Sequence, residues 1–232
     1  MTSISAALAP LFEQAPPEEL IRYFQDVAAG DFSDHLECDV NLFAVETAVR
    51  LTEEFRDFEP RVGSLRGIVL DDDNISDCHV YLTHPACRGA ILFLRHDGDS
   101  HIIFASLNDF LAAANSAIAT GKPLRSCERP PILLADDVAA NQLIRELLTG
   151  ETEYDIDGPI DSLLASMNLT DLDLLATLAA DESFYIAESV GAAIARRPRP
   201  DLLPIAKMVS DHAHFQAAKA GKRAVSAIFA AQ

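Results

Sequence analysis

The sequence predicts an α+β fold, in which a mostly antiparallel sheet of four or more strands is flanked by helices and followed by an all-helical segment. Four short runs rich in β-branched and aromatic residues lie between residues 66 and 105. The connections between these runs are too short for the crossover helices that parallel strands require. Apolar residues before and after them recur at helical spacing. Helices therefore surround one small antiparallel sheet.

Two amphipathic segments precede the strands. The segment PPEELIRYFQDVAAG begins with two prolines and two acidic residues and ends at Gly30, an arrangement typical of a helix. In the segment NLFAVETAVRLTEEFRDF, four apolar side chains fall close to one side: Leu42, Val45, Val49 and Phe55. We expect a helix in each segment.

The four strand runs are RGIVL at 66–70, CHVYL at 78–82, AILFL at 90–94 and HIIFA at 101–105. The dipeptide Asp97-Gly98 between the last two is a strong turn signal. Ser106 stands three residues before Asp109, the spacing of a capping box, and apolar residues follow it at helical spacing. This stretch predicts a hairpin that leads into a helix.

The turn sequence RHDGDSH, residues 95–101, contains two histidines and two aspartates, so a metal site was the alternative to a simple turn. His96 and His101 would have to approach one ion from opposite strands, and no second group of carboxylates and histidines lies nearby at ligand spacing. We predict a solvent-facing turn that binds no metal. No cofactor is predicted for any other part of the chain.

Two acidic loops are the candidate partner-binding sites. The loop DDDNISD has carboxylates at the first positions of a calcium loop, but Ile75 takes the third ligand position and Ser76 replaces the required glycine. We therefore expect a solvated acidic loop, and a second one in ETEYDIDGP. The predicted contact residues are Asp71, Asp72, Asp73, Asp77, Glu151, Glu153, Asp155 and Asp157.

The domain organisation follows from a proline-rich segment in the middle of the chain. We assign residues 1–120 to the α+β domain, residues 121–135 to a linker, and residues 136–232 to the helical segment. The helical segment opens with the helix DDVAANQLIRELLTG. It also contains a repeat of period 30, in which Leu175 aligns with Ile205 and Gly191 with Gly221. In each repeat, an aspartate (Asp181 or Asp211) is expected to cap the second helix.

Composition restricts the functional class. The chain has 36 acidic and 18 basic residues, a net charge of −18, which disfavours binding to nucleic acid or to anionic membranes and favours a basic protein partner. No apolar run is long enough to span a bilayer, and the N-terminus lacks the basic region of a secretory signal. The four cysteines form no C-x-x-C pair and are expected to be buried thiols. These features predict a cytoplasmic protein of unknown oligomeric state.

The segment from Gly67 to Ala114 resembles the SUKH superfamily, which includes Syd-like proteins and yeast cell-wall-synthesis regulators. The resemblance lies in the strands GIVL and CHVYL, the hairpin ILFLRHDGDSHIIF and the helix SLNDFLAAA. It implies helices before a twisted, mostly antiparallel sheet, no catalytic residues, and protein binding, because many bacterial members are similar to immunity proteins that neutralise a toxin. The C-terminal half is similar to HEAT-like repeats, which are also a binding architecture.

No catalytic motif appears in the sequence. The G-x-S-x-G, P-loop, H-E-x-x-H and dinucleotide-binding patterns are all missing. His212 and His214 lie two residues apart, so on a helix they would face different sides and would not share a zinc ion. We therefore predict a protein that is not an enzyme. It would be an immunity protein that neutralises a basic, nuclease-type toxin or, alternatively, a cytoplasmic adaptor for a housekeeping partner. A carboxylate-lined cleft would favour an enzyme instead.

Overall fold

A computed structural model describes residues 3–72, 77–96, 99–150 and 155–231 of the chain. It divides into two compact units, Met1–Ile132 and Leu133–Gln232. The boundary between them falls inside the segment 121–135, which the sequence analysis assigned to a linker. Most of that segment belongs to the first unit, because the Leu124 amide donates to the Cys38 carbonyl and the Ile132 amide to the Ile102 carbonyl.

The first unit contains five helices and one sheet among its described residues. Its helices are α1 (Ile4–Leu8), α2 (Glu18–Ala29), α3 (Val45–Phe58), α4 (Pro60–Ser64) and α5 (Leu107–Thr120), and its strands are β1 (Gly67–Val69), β2 (Cys78–Leu82), β3 (Ile91–Leu94) and β4 (His101–Phe104). The two helices predicted before the sheet are confirmed as α2 and α3. α2 ends at Gly30 as expected.

The sheet has the order β1-β2-β3-β4, and every pairing is antiparallel. The predicted α+β class is therefore confirmed. All strand residues are buried, so both faces of this sheet are covered by other parts of the unit. At the edge formed by β1, the Val69 amide donates to the Thr52 hydroxyl of α3 at 2.9 Å. Helices α2 and α5 contribute Phe24 and Phe110 to the main apolar core.

The hairpin from β3 to β4 leads into α5 as predicted. The Ser106 hydroxyl accepts from the Asp109 amide at 3.1 Å, which confirms Ser106 as the N-cap. The Asp109 carboxylate accepts from the Ser106 hydroxyl at 2.7 Å and not, as in a complete capping box, from the Ser106 amide. Asp97 and Gly98, the predicted turn centre, lie outside the described residues. His96 and Asp99 are exposed, but the expectation of a solvent-facing segment is wrong at Ser100 and His101, which are both buried. The His101 Nε2 lies 2.7 Å from the Arg129 carbonyl oxygen, and this hydrogen bond offsets the cost of burying the imidazole.

The second unit is helical throughout its described residues. It contains α6 (Asp137–Thr149), α7 (Asp157–Ala165), α8 (Leu172–Ala179), α9 (Phe184–Arg196), α10 (Leu203–Ser210) and α11 (Phe215–Ala230). The predicted helix at its start is confirmed as α6, which is capped by Asp136. Among the described helices of the whole chain, none combines the length and apolar composition that crossing a membrane requires.

The last four helices form two similar pairs, α8–α9 and α10–α11. The first helices of the pairs begin at residues 172 and 203, and the second helices at 184 and 215, so the helix starts recur every 31 residues and not every 30. The predicted period of 30 is the spacing between equivalent small residues within the second helices, α9 and α11. Ala187 and Ala217 are both fully buried, and Gly191 and Gly221 both lie at close backbone contacts.

The loops that join each pair differ from prediction. Asp181 and Asp211 do not cap the following helices, because the N-cap residues are Ser183 and His214. The Asp181 carboxylate instead accepts from the Ser183 amide at 2.8 Å. His212 and His214 lie in the turn before α11 and not on a helix, so the argument from helical faces does not apply. The His212 Nδ1 accepts from the His214 amide at 3.0 Å.

Replacing Gly221 with alanine should destabilise the second unit. The added Cβ would overlap the Ser210 backbone nitrogen and lie 2.5 Å from the Val209 carbonyl carbon, so α10 and α11 would have to separate. We expect a loss of about 1–3 kcal/mol, measured by urea unfolding, as for other overpacked cores. Gly63→Ala is the control, because its Cβ would meet nothing closer than the Arg56 carbonyl oxygen at 3.5 Å. Equal losses would contradict the close-packing account.

Candidate functional site

The first predicted acidic loop is not a solvated surface at Asp71 and Asp77, two of its described residues. Asp71 is 1% exposed, so the expectation that its carboxylate faces solvent is wrong. Asp77 is 8% exposed, and its carboxylate accepts from the His96 amide at 2.8 Å and lies 3.8 Å from Arg95. Asp72 is partly exposed, and Asp73 lies outside the described residues. Hydrogen bonds at Asp71 and Asp77 offset the cost of burying their charges.

The Asp71 carboxylate is one end of a buried row of hydrogen bonds. Its Oδ1 accepts from the His79 amide, and its Oδ2 lies 2.6 Å from the His79 Nδ1. The His79 Nε2 lies 2.7 Å from the Ser126 Oγ. In the neutral imidazole, Nδ1–H donates to the carboxylate and Nε2 accepts from the Ser126 hydroxyl. We name Asp71, His79 and Ser126 the buried polar row.

Aromatic side chains surround the imidazole. The ring of His79 lies 5.0 Å from that of Phe93 and 4.5 Å from that of Phe110, centroid to centroid. The Tyr23 hydroxyl is also buried and has no hydrogen-bond partner among the described residues. Burial raises the pKa of Tyr23, and the negative charge of Asp71 raises it further. The row therefore lies in an apolar environment, where hydrogen bonds are strong and an unpaired polar group is costly.

The buried polar row has the connectivity of a Ser-His-Asp catalytic triad, but its surroundings indicate a structural role. A catalytic imidazole must reach both the nucleophile and a substrate atom. His79 lies on β2, between two neighbouring strands, with its ring against Phe93 and Phe110. Ser126 is 6% exposed and follows Arg125, whose backbone is left-handed at φ 52°. The row fastens the segment after α5 to the sheet.

The second predicted acidic loop is only partly described. Glu151 and Glu153 lie outside the described residues, and Asp155 is exposed. The Asp157 carboxylate accepts from the Ser183 hydroxyl at 2.8 Å, so it joins the start of α7 to the N-cap of α9. Burial raises the pKa of Asp157, although the hydrogen bond from Ser183 opposes this shift. The structure thus assigns Asp157 an internal contact.

A cluster of exposed aromatic side chains lies where the two helix pairs turn. The Phe184 and Tyr185 rings are 3.9 Å apart, and the Phe184 and His214 rings stack at 3.7 Å. Tyr185 is 56% exposed and Phe215 is 75% exposed. We name Phe184, Tyr185, His214 and Phe215 the repeat-end patch. It brings together residues at the starts of α9 and α11, which the sequence analysis did not select.

Acidic side chains accompany the repeat-end patch. Glu182 and Asp211 are exposed in the two loops that lead into α9 and α11. The two loops are also joined, because the His212 Nε2 lies 3.3 Å from the Asp181 carbonyl oxygen. The aromatic rings therefore project from a connected pair of loops with negative charge beside them. Such a surface is suited to binding a protein with apolar and basic groups.

Comparisons with protein-family models, with curated proteins and with solved structures found no match to this chain. The relation to the SUKH superfamily and the HEAT-like repeats thus stays a prediction. Among the described residues, no group of three or more histidine, cysteine, aspartate or glutamate side chains is placed to hold a metal ion. Cys38, Cys78 and Cys87 are buried, as expected, and the side chain of Cys127 lies outside the described part.

Breaking the buried polar row should destabilise the first unit. Asp71→Ala leaves the His79 amide and Nδ1–H without their acceptor, and we expect a loss of about 1–3 kcal/mol in the free energy of unfolding for each buried donor left unpaired. Ser126→Ala should cost about 1–2 kcal/mol. It should also speed hydrogen exchange at the Leu124 and Ile132 amides. Urea unfolding and exchange measure these effects, with the exposed Asp26→Ala as control.

A serine-reactive fluorophosphonate distinguishes a structural row from a catalytic one. We expect no labelling of Ser126 in the folded protein, because the hydroxyl is buried. Labelling of wild type that disappears in Ser126→Ala would contradict the structural assignment.

Proposed function

We propose that this protein is a protein-binding module and that the repeat-end patch contacts its partner. The observation that carries the proposal is the exposure of Tyr185, whose ring lies against that of Phe184, and of Phe215, which follows the stacked His214 in the chain. Aromatic side chains lose little conformational entropy on binding and are enriched among the residues that dominate binding energy. Their stacking partly fixes the rings before a partner arrives.

The chemistry of the partner follows from charge. A net charge of −18 attracts a basic protein, and Glu182 and Asp211 place carboxylates beside the aromatic rings. Asp155 and Asp72 remain candidate contacts from the predicted acidic loops, since they are exposed or partly exposed. Asp71, Asp77 and Asp157 are occupied by internal hydrogen bonds and are not proposed as contacts.

Within protein binding, we propose an immunity protein that neutralises a basic, nuclease-type toxin. The support is the acidic charge together with the order of helices, antiparallel sheet and helix in the first unit, the order implied by the SUKH resemblance. The second candidate is a cytoplasmic adaptor that binds a housekeeping partner through the same surface. Co-expression with the product of the neighbouring gene separates the two, because only an immunity protein should rescue growth from a toxic neighbour.

Removing the exposed rings should weaken partner binding. For the double variant Tyr185→Ala, Phe215→Ala we expect a dissociation constant at least about 100-fold higher. Truncating an aromatic side chain that dominates an interface lowers the binding free energy by about 2 kcal/mol or more. Titration calorimetry with the purified neighbouring gene product measures this. The control is Phe58→Ala, Phe229→Ala, which removes two exposed rings outside the patch. Equal weakening by both pairs would contradict the assigned surface.

Neutralising the carboxylates beside the patch should slow association. Glu182→Gln, Asp211→Asn should lower the association rate about tenfold at low salt and reduce its salt dependence, with little change in dissociation. The matched control is Asp26→Asn, Asp57→Asn, which removes the same net charge from exposed positions in the first unit. Stopped-flow mixing at several ionic strengths gives the rates. If the two variants slow association equally, the effect comes from net charge and not from this patch.

A further inference from the structure

A cavity of about 590 Å³ lies in the first unit. It is bounded by the segment that follows α1 and by residues that immediately precede β1 or follow β2. Residues 10–15 and Pro17 form one wall. Five further residues complete the lining: Arg56, Gly63, Arg66, Thr83 and Arg88. The volume falls in the range of sites for small molecules, about 300–1,000 Å³. None of the lining residues belongs to the buried polar row or to the repeat-end patch.

The cavity is positively charged in a strongly acidic protein. Three arginines and one acidic residue, Glu13, line it, although the chain has twice as many acidic as basic residues. Arg66 and Arg88 are exposed and form no ion pair among the described residues. Most other described arginines are engaged, for example Arg61 with Glu59 at 3.2 Å. The guanidinium groups at the cavity are thus available to an anion.

The backbone at Arg66 is in a conformation that favours glycine. Its φ is 52°, and it stands just after the end of α4, a position where glycine commonly ends a helix. The Arg66 carbonyl accepts from both the amide and the hydroxyl of Thr83, at 3.3 and 2.7 Å, so the conformation is held in place. A left-handed arginine where glycine would be less strained suggests that its side chain is needed there.

The surroundings hold the Arg56 side chain and the backbone on both sides of Arg88. Arg56 lies near the end of α3 and donates to the Leu11 carbonyl at 3.4 and 3.5 Å, which ties the cavity wall to the helix. Burial lowers the pKa of the Arg56 guanidinium, and Glu53 opposes the shift. Arg88 lies between the short helical turn Pro85–Cys87 and Gly89, whose φ is 89°. Fixed backbones reduce the entropy lost when such groups bind a ligand.

We propose that this cavity binds a small polyanion, a molecule that carries two or more phosphate or carboxylate groups. The guanidinium fork matches the planar oxygen pairs of both groups, and Arg66 and Arg88 supply two forks that form no ion pair among the described residues. Arg56 adds a third positive charge to the lining. The amide and the hydroxyl of Thr83 hold the Arg66 backbone in position. This inference is independent of the proposed partner surface, which lies in the other unit.

Titration calorimetry with pyrophosphate and with citrate tests the proposal on the full-length chain. We expect at least one of them to bind with one-to-one stoichiometry, and the two probes distinguish a phosphate site from a carboxylate site. Arg88→Ala should weaken binding about tenfold or more, as expected for loss of hydrogen bonds to a charged group. Arg22→Ala removes one exposed arginine from α2, away from the cavity lining, and should leave affinity unchanged.

Arg66→Gly separates a binding role from a structural one. Glycine relieves the left-handed backbone, so the melting temperature should stay the same or rise while affinity falls about tenfold or more. Failure of both probes to bind wild type would overturn the proposal. It would also be overturned if Arg22→Ala weakened binding as much as Arg88→Ala, because the effect would then come from net charge. The variants of the repeat-end patch test the proposed partner surface and not the anion site, so the two proposals can fail separately.

Discussion

The buried hydrogen bond between Asp71 and His79 is the interaction on which the first unit depends. A carboxylate removed from water is costly unless each lone pair finds a donor, and both donors here come from one residue of β2. This requirement fixes the end of β1 against the centre of the sheet. Through Ser126, it also fixes the segment that follows α5. One buried charge thus determines the position of chain segments distant in sequence.

A polar row inside an apolar core contributes specificity more clearly than it contributes stability. Apolar residues of equal volume could fill the space around Phe93 and Phe110 without the cost of desolvation. An apolar filling would leave the position of Ser126 to the backbone hydrogen bonds of its segment alone, whereas a hydroxyl 2.7 Å from Nε2 specifies that position directly. The left-handed Arg125 that precedes Ser126 is tolerated because this hydrogen bond and two backbone hydrogen bonds hold the segment.

The sequence predicted features that depend on neighbouring residues. Strand composition, the N-cap at Ser106 and the glycine stop at Gly30 act locally, and the structure contains all three. The buried polar row could not be predicted, because His79 and Ser126 are 47 residues apart and meet only after the sheet forms. The prediction of a solvated loop is wrong at Asp71 for a related reason. Three adjacent aspartates indicate a surface unless a buried donor is known, and the donors of Asp71 are the amide and imidazole of His79, which are buried only once the sheet has formed.

Charge in the second unit is distributed unevenly between the loops and the last helix. Glu182 and Asp211 lie in the loops at one end of α9 and α11, whereas the exposed face of α11 carries Lys219, Lys222 and Arg223 and the helix has no acidic residue. The proposed basic partner would be attracted by the loops and repelled along the helix. Like charges brought together at an interface cost energy, so this repulsion would disfavour docking on the helix face. In the proposed complex, the aromatic rings would therefore supply affinity at the end where charge permits approach.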